Sequence, residues 1–462
     1  MDTLESEITV AVKIGGHRDL RERRARKTAL IGIAARVVNY GIRFVSIPLS
    51  LNLLGRAQYG LWLTIGSVLI WLGLSELGIS TGLVNTVARA YGREDWDEAR
   101  TYVSTGFFTY STLALLAFLI VTLVSMWPGL PKFLGAGDDP RLAHEATRLF
   151  VVCGAIWAVS FSLFAIGPLC LAFQEGYLQS YAQIGAGLVT VAILFVIARR
   201  GATLIQFALA MGLPLLLANF ALGGYFLLYR HRQIRPSWRC RSASALKALM
   251  SIGGPMALVQ FADVSIIYAV PIMIANRLGA AAVPMYSVPA TAFVVAMSLC
   301  NNLVSPYLSA YAEAAGRADW RWIRETAIRN LTTVMPVIVL AGIAWVLLGP
   351  YIIPWWARGQ VAPSRALLLG LGGFYALMTW STTNGTLLVG LGLVKTKALL
   401  HFTVAILYVA GAWLCLPRFG LIAVPVAGCF AYSVDLFLSL PIALSRVHQA
   451  ASQPRTSIPC DI

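Results

Sequence analysis

The sequence predicts an all-α, polytopic membrane protein with twelve transmembrane helices in two parallel six-helix lobes. Only 12% of the 462 residues are charged and 58% are hydrophobic, whereas a soluble globular protein has roughly 25% charged residues. About a dozen apolar runs are each roughly 20 residues long, enough to cross a hydrocarbon core about 30 Å thick. The two halves of the chain also share a repeated sequence, which indicates two lobes.

The apolar runs set the positions of the predicted helices. The twelve helices are expected at 28–54, 59–87, 103–127, 147–173, 179–198, 203–229, 247–276, 281–309, 328–349, 366–390, 396–416 and 420–445. The predicted segments are a basic cytoplasmic tail (1–27), an N-terminal lobe (28–229), a basic cytoplasmic linker (230–246), a C-terminal lobe (247–445) and a cytoplasmic C-terminal tail (446–462). The apolar run after residue 27 is too long for a signal-peptide core, so we expect no cleaved leader.

Basic residues decide the expected orientation. They are concentrated in the N-terminal tail, in the linker stretch "RHRQIRPSWRCR" (Arg230–Arg241) and in another predicted cytoplasmic loop with Lys395 and Lys397. Because positively charged loops stay on the cytoplasmic side, both termini are predicted to be cytoplasmic. The formal charge of +16 then reflects loops that lie against anionic membrane lipids, and no nucleic-acid partner is expected.

The repeat is carried by a charged stretch that occurs twice. "AYGREDWDEARTY" (Ala90–Tyr102) matches "AAGRADWRWIRET" (Ala314–Thr326), and "NLLGRA" (Asn52–Ala57) matches "NRLGAA" (Asn276–Ala281), both at an offset of 224 (316 − 92). Six helices separate equivalent points, so the two lobes have the same orientation in the membrane. Transporters of this architecture place their site between the lobes, near the midplane.

The repeated stretch itself predicts a connector between helices. Gly92 suits a helix stop, and Asp95 followed by Glu98 has the spacing of a capping box. Trp96 and Arg100 suit the lipid interface. We therefore expect a hinge-like connector, not a binding site.

Helix 1 carries the strongest candidate site residues. Arg36, Asn39, Tyr40 and Arg43 follow helical spacing and share one face. An ionisable group at membrane depth is costly and is a functional candidate by default. Arginine suits a pyrophosphate because its guanidinium forms paired hydrogen bonds with phosphate oxygens. Two alternatives stay open: Arg43 pairs with Glu76 or with helix carbonyls, and Arg36 extends its charge to the cytoplasmic interface.

The repeat and the remaining polar residues extend the candidate list. Adding 224 to Arg36 and Asn39 leads to Gln260 and Asp263 in helix 7. Asp263 is a candidate for ion coupling, gating or a pair with a helix-1 arginine, or for an ordinary interhelical hydrogen bond. Glu76, in "SELGIS", is a second coupling or gating candidate, with a packing or capping role near Gly78 as the alternative.

Amides at membrane depth are candidate contacts for sugar hydroxyls. They are Asn301 and Asn302 in helix 8 and Asn384 in "TWSTTNGT" (Thr379–Thr386) of helix 10. Helix–helix hydrogen bonding is the commoner use of such groups. Asp435 in helix 12 is expected to be structural. The seven cysteines and five histidines are scattered, so we expect no metal site, no cofactor and no catalytic residues.

The helix pair at the start of the chain resembles the polysaccharide-export flippases of the multidrug/oligosaccharidyl-lipid/polysaccharide exporter superfamily. The resemblance rests on "LLGRAQYGLW" after helix 1, "SELGIS" within helix 2 and "GLVNTVARAYGREDW" at its cytoplasmic end. It implies a V-shaped, MATE-like twelve-helix bundle in the bacterial inner membrane. Such a protein moves an undecaprenyl-pyrophosphate-linked oligosaccharide across that membrane by alternating access.

The resemblance also implies the partners and the competing functions. The expected partners are the lipid-linked oligosaccharide and membrane lipids, with a polysaccharide polymerase and glycosyltransferases as further candidates. The main alternative is a cation-coupled small-molecule or multidrug exporter of the same fold. A membrane glycosyltransferase, polymerase or ligase is disfavoured, because those acting outside usually carry a long outer loop or domain with catalytic residues.

Overall fold

The computed structural model is built from helices, as the sequence predicts. It describes residues 2–76, 78–137 and 139–452, and this part of the chain contains no β-strand. Part of the predicted C-terminal tail, 453–462, lies outside the described residues. The helices are α1 (Asp2–Gly73), α2 (Ile79–Gly92), α3 (Trp96–Ser125), α4 (Leu130–Phe133), α5 (Pro140–Ser162), α6 (Ile166–Ala172), α7 (Gly176–Arg200), α8 (Leu204–Gly224), α9 (Ala243–Leu278), α10 (Val283–Val304), α11 (Tyr307–Gly316), α12 (Trp320–Trp356), α13 (Arg365–Gly390), α14 (Val394–Phe419) and α15 (Ala423–Ser452).

Nine helical stretches of the described residues are long and apolar enough to cross a membrane. Two of them, Leu30–Glu76 with 47 residues and Val394–Ser439 with 46 residues, each extend over two of the helices predicted from the sequence. The predicted helix 366–390 coincides with α13, which is not among the nine. The all-α membrane fold class is confirmed, and the count of twelve spans stays a prediction.

The repeat is visible in backbone angles at the first turn of each half. Gly55 divides α1 into two helices and has φ 71° and ψ 176°. Its counterpart at an offset of 224, Gly279, has φ 85° and ψ 160° and precedes α10. A positive φ of this kind is strained for any residue with a Cβ atom, so glycine stands at both positions.

The helix that follows this turn is interrupted in each half, although the apolar pattern predicts continuous helices at 59–87 and 281–309. A 3-10 turn at Leu74–Glu76 and the left-handed Gly78 (φ 77°) separate α1 from α2. In the second half, Ser305 and Pro306 separate α10 from α11. Proline at the start of α11 lacks the N–H that would continue the preceding helix.

The charged stretch forms the same connector in both halves. Asp95 Oδ1 accepts a hydrogen bond from the Glu98 backbone N–H at 2.9 Å and caps α3, and Asp319 caps α12 through Trp322 N at 3.1 Å. The capping-box prediction is only half right, because the Glu98 carboxylate pairs with the Arg93 guanidinium. A free guanidinium nearby is a stronger partner for a carboxylate than a backbone N–H.

The chain divides into two compact units. The first consists of 1–54, 69–131 and 138–257, and the second of 55–68, 132–137 and 258–462. The first unit has a core in which α2, α3, α5 and α6 meet around fully buried side chains such as Leu83, Tyr110, Leu169 and Phe173. The predicted lobe limits at 229 and 247 stay a prediction.

The second unit packs α10, α12, α13, α14 and α15 together. Aromatic rings fill its centre: Phe293 stacks on Tyr375 with centroids 5.5 Å apart, and Phe374 lies 5.2 Å from Tyr408. In a membrane, close side-chain packing of this kind replaces water exclusion as the source of helix association.

The segment Arg230–Ser242, here called the linker strap, is fastened to the first unit. Glu175, which is fully buried, accepts hydrogen bonds from Arg230 (2.9 Å) and pairs with His231 (3.3 Å). The Ser237 backbone N–H donates to Ser104 Oγ at 3.0 Å, and that of Ser242 donates to Thr105 Oγ1 at 3.2 Å. Ile234 of the strap is completely buried in the core of the unit.

Arg100 takes part in the same attachment. The sequence assigns it to the lipid interface, whereas its Nε donates to the Arg235 carbonyl at 3.1 Å. This contact spans 135 positions of the sequence, so local spacing gives no sign of it.

Candidate functional site

The predicted basic face of α1 lies in the first unit. Arg36 and Arg43 are both exposed, and Asn39 is half-buried. Asn39 faces α7: a Cβ atom added at Gly187 would lie 3.7 Å from Asn39 Oδ1 and 2.3 Å from Ile42 Cδ1. Glycine at this position therefore allows α1 and α7 to approach closely.

Arg43 is the exposed cation of this face that lies deepest in the candidate membrane span Leu30–Glu76. Among the described residues its guanidinium has no hydrogen-bond or salt-bridge partner. The alternative in which Arg43 pairs with Glu76 is therefore not what the structure contains. A guanidinium without a protein partner keeps all its donors available for an anionic ligand.

Glu76 is buried at the break between α1 and α2. Its carboxylate accepts hydrogen bonds from the Tyr110 hydroxyl at 2.9 Å and from Ser80 Oγ at 3.1 Å. It lies at the N-terminal end of α2, where the helix dipole favours a negative charge. These side-chain contacts fit the packing role given above as an alternative to coupling, whereas α2 has no side-chain cap at Gly78.

Four other predicted amides lie in the second unit. Gln260 on α9 and Asn301 and Asn302 on α10 are all half-buried. The structure does not bring Asn384 to a surface: it is buried on α13 and donates from Nδ2 to Ser439 Oγ on α15 at 3.0 Å. This is the interhelical hydrogen bond that is the commoner use of such an amide.

Asp263 belongs to a group of ionisable side chains in the second unit. Its Oδ1 lies 2.8 Å from His401 Nε2, which joins α9 to α14. One turn before His401, Lys397 Nζ donates to Ser381 Oγ at 3.1 Å and so joins α14 to α13. Asp435 on α15 is 1% exposed. We call Asp263, Ser381, Lys397, His401 and Asp435 the acid–base cluster.

Hydrogen bonding within this cluster is incomplete. Asp263 and Asp435 lie close enough to Lys397 to interact with it electrostatically. Neither carboxylate oxygen of Asp435, nor Nδ1 of His401, has a hydrogen-bond partner among the described residues. A buried polar atom without a partner is costly, and groups of this kind are candidates for proton or cation exchange.

Sequence reasoning identified Asp263 but missed Lys397 and His401. It assigned Lys397 to a cytoplasmic loop, although the side chain is half-buried against α13, where a Cβ atom added at Gly385 would lie 2.6 Å from its Cε. The spacing of Lys397 and His401, four residues apart on one helical face, was the available signal. Asp435, expected to be structural, lies beside them. Within the part of the chain that the structure describes, no three His, Cys, Asp or Glu side chains form a metal site.

Comparisons with known proteins support the transporter fold. No protein-family profile matches the chain. It is 27% identical over 123 residues to a Yersinia pseudotuberculosis protein named "Putative O-antigen export protein", of which it covers 27%. It is 19% identical over 417 residues to a Salmonella typhi protein named "Putative O-antigen transporter", a match that covers 88% of this chain and 93% of that one.

Solved structures show the same fold at low sequence identity. One is a multidrug resistance MATE family transporter of the MOP superfamily in an inward-facing conformation, with a TM-score of 0.75, 13% identity and coverage of 88% of this chain and 95% of that chain. Another is a MOP superfamily transporter from Pyrococcus furiosus, with a TM-score of 0.60, 13% identity and coverage of 93% and 95%. The chain is thus an integral, multi-pass membrane protein with a transporter fold.

Proposed function

We propose that this transporter of the MOP superfamily flips a lipid-linked oligosaccharide across the bacterial inner membrane for surface polysaccharide biosynthesis. Support comes from the similarity, over 88% of the chain, to the Salmonella typhi protein named as an O-antigen transporter. The observation that carries the proposal is Arg43, an exposed cation inside an apolar span that has no protein partner among the described residues.

The chemistry of the substrate explains why a cation would stand there. An undecaprenyl-pyrophosphate headgroup carries negative charge into a region of low dielectric, where an unpaired charge is costly. A guanidinium offers a planar pair of donors to phosphate oxygens and stays charged at any physiological pH. Arg36 precedes Arg43 on the same face of α1. It adds a second positive charge nearer the cytoplasmic end of that helix.

Half-buried amides in each unit are further candidate contacts for the oligosaccharide. We infer that Asn39, Gln260, Asn301 and Asn302 hydrogen-bond sugar hydroxyls, as donors and acceptors that tolerate many sugars. We assign Asn384 a positioning role, since its amide is already engaged with Ser439. Proteins that supply or use the oligosaccharide, namely glycosyltransferases and a polysaccharide polymerase, are the proposed partners.

The acid–base cluster is the proposed coupling site. Protonation or cation binding at Asp263 would weaken its contact with His401 and change the charge balance at Lys397. Since these residues lie on α9, α13, α14 and α15, the change reaches four helices of one unit. Glu76 is assigned to packing between α2 and α3 and is not part of the proposed coupling.

The proposal is tested by substituting Arg43 in a strain that lacks the chromosomal gene. Arg43→Gln should lower export of lipid-linked oligosaccharide about 10-fold or more, the usual effect of losing a charge-assisted hydrogen bond. Arg43→Lys should restore part of it. The matched control is Arg56→Gln, which removes an exposed cation just after Gly55 and should leave export unchanged. Immunoblots of the membrane fraction should show equal protein for all variants.

The measurement is the amount of lipid-linked repeat unit that accumulates on the cytoplasmic leaflet, together with the surface polysaccharide. Wild-type export by Arg43→Gln would contradict the role of this arginine. Normal polysaccharide in the gene deletion, combined with altered drug sensitivity, would contradict the proposed substrate. It would favour the alternative, a cation-coupled multidrug exporter, which the similarity to a MATE family transporter supports.

A further inference from the structure

A groove of about 450 Å³ opens on the first unit between α3 and the start of α9. Its lining includes the apolar Phe108, Leu113 and Leu246, together with Thr109 and Thr112 of α3. Arg241, at the end of the linker strap, is the one charged residue among those that line it. The lining of the groove thus combines a single positive charge with apolar side chains.

The strap holds this arginine in position. The Arg241 guanidinium lies 3.1 Å from the centroid of the Trp238 ring, and that ring packs against Phe108 at 4.9 Å. Backbone hydrogen bonds from Ser237 and Ser242 to α3 fix both sides of the stack. A side chain that is already ordered loses little entropy when a ligand binds.

Two donor groups of Arg241 are available to an external ligand. Its Nε donates to the Trp238 carbonyl at 3.3 Å, and its two terminal NH2 groups have no acceptor among the described residues. These two groups form the pair of parallel donors that matches two oxygens of one phosphate. From 230 to 247 the sequence contains five arginines and one lysine but no acidic residue, so the surrounding field also favours an anion.

An apolar track leads away from the groove along α3. Thr112, Leu116, Leu119 and Leu123 follow helical spacing, and the three leucines are 50%, 49% and 68% exposed. Eleven residues separate the ends of this track, so it is about 16 Å long at 1.5 Å per residue. That length is about half of a hydrocarbon core about 30 Å thick, or one leaflet.

We propose that this groove binds one phospholipid with a singly charged anionic headgroup, its phosphate on Arg241 and one acyl chain along the α3 track. One guanidinium with no acidic neighbour matches a phosphodiester with a single negative charge. A pyrophosphate carries more charge than this groove neutralises, so the lipid-linked substrate is the less suitable occupant. The site is separate from the proposed transport function and does not depend on it.

Native mass spectrometry of the full chain tests the site. The delipidated protein is titrated with dioleoyl phosphatidylglycerol, dioleoyl phosphatidylcholine or undecaprenyl pyrophosphate, and the retained lipid is counted. We expect one phosphatidylglycerol to be retained, about 10-fold more tightly than phosphatidylcholine, since the headgroup charge strengthens the hydrogen bonds to Arg241. Arg241→Gln should remove this preference.

The matched control is Arg239→Gln, which removes an exposed arginine of the same strap that does not line the groove. It should change retention less than about threefold, as expected for a screened surface charge. Thr112→Trp, at an exposed position, should obstruct the groove and reduce retention while keeping every charge. Thermal unfolding of each variant in detergent checks that it is folded.

Three results would overturn the proposal. Equal loss in Arg239→Gln and Arg241→Gln would show general charge attraction without a site. Full retention by Thr112→Trp would show that no acyl chain occupies the groove. Tighter retention of undecaprenyl pyrophosphate than of phosphatidylglycerol would assign the groove to the lipid-linked substrate.

Discussion

The buried Glu175 carboxylate holds the linker strap in place through Arg230 and His231. Burial by itself raises the pKa of its carboxyl, but the hydrogen bonds and charges of His231 and Arg230 outweigh burial and lower the pKa to about 2. The ordinary pKa of this group is 4.5. Since the pKa is lowered on folding, the carboxylate stabilises the fold fully above pH 4.5, and this contribution is lost as the pH falls toward about 2.

We expect Glu175→Gln to lower the free energy of unfolding by about 1–3 kcal/mol at pH 7, because Arg230 and His231 lose a charged acceptor. The variant should also lack the part of the acid-induced loss of stability that Glu175 provides between pH 4.5 and about 2. Thermal unfolding in detergent across this pH range measures both effects.

The control for this prediction is Glu98→Gln. Glu98 pairs with Arg93, whose side chain is 64% exposed, and an exposed pair contributes about 1 kcal/mol or less. If the two variants lose the same stability, Glu175 does not fasten the strap in the way that its contacts indicate.

At the residue scale, the sequence predicted which side chains share a helical face better than it predicted which side chains contact each other. Helical spacing was enough to place Arg36, Asn39 and Arg43 on one face of α1. The pair Asp263–His401 joins residues 138 positions apart, and no local pattern records such a contact. Lys397 was missed for a related reason: its neighbours in sequence resemble a basic loop, and only α13 shows that the side chain is covered.

Each half of the chain contains a residue in a left-handed backbone conformation at the same point of the connector. Glu94 has φ 58° and Ala318 has φ 56°, and neither is a glycine. A residue with a Cβ atom pays roughly 1–2 kcal/mol for this conformation. Both residues directly precede the capping aspartate, so the turn they form sets where α3 and α12 begin.

We expect Ala318→Gly to raise the free energy of unfolding by about 0.5–1 kcal/mol, because glycine adopts this φ without strain. The matched control is Ala312→Gly at an exposed position within α11. There, glycine should lower the free energy of unfolding by about 1 kcal/mol. Denaturant or thermal unfolding of the two variants measures the opposite signs. Destabilisation in both would contradict the strain at Ala318.

The apolar runs predicted where the helices lie, but they did not predict where a helix is interrupted. The pattern predicts one helix at 59–87, and the structure interrupts it between Leu74 and Gly78. Apolar residues continue on both sides of the interruption, so the pattern of apolar residues does not show where the helix breaks. Gly78 was the sequence signal, and only its φ of 77° shows that it ends a helix.

At the scale of the whole molecule, low charge and long apolar runs were enough to predict the fold class. Solved transporters with 13% identity confirm that fold. The substrate is decided by a few side chains and does not follow from the fold. Twelve spans and two cytoplasmic termini stay predictions.

Coupling is a property of the whole transporter, and Asp263→Asn tests it. We expect the variant to lose its response to an imposed proton or sodium gradient, with gradient-driven transport reduced about 10-fold or more. The reason is that a neutral amide neither releases a proton nor holds a cation. The measurement is transport by the purified protein in vesicles, with and without each gradient.

The control for Asp263 is Glu325→Gln. Glu325 is exposed and pairs with the exposed Arg321 at 2.9 Å, so its loss should leave the gradient response unchanged. Equal gradient dependence in Asp263→Asn and the wild type would remove the acid–base cluster from the coupling mechanism.

The two halves of the chain have similar backbone torsion angles at equivalent turns. Gly55 and Gly279 differ by 14° in φ (85 − 71), and Glu94 and Ala318 differ by 2° (58 − 56). In the last pair the amino acid has changed completely while the torsion angle has not. Two repeated halves of a chain can thus keep the same backbone torsion angles after their amino acids have changed. Comparing torsion angles between the halves of a chain offers a way to find duplicated transporters whose sequences no longer align.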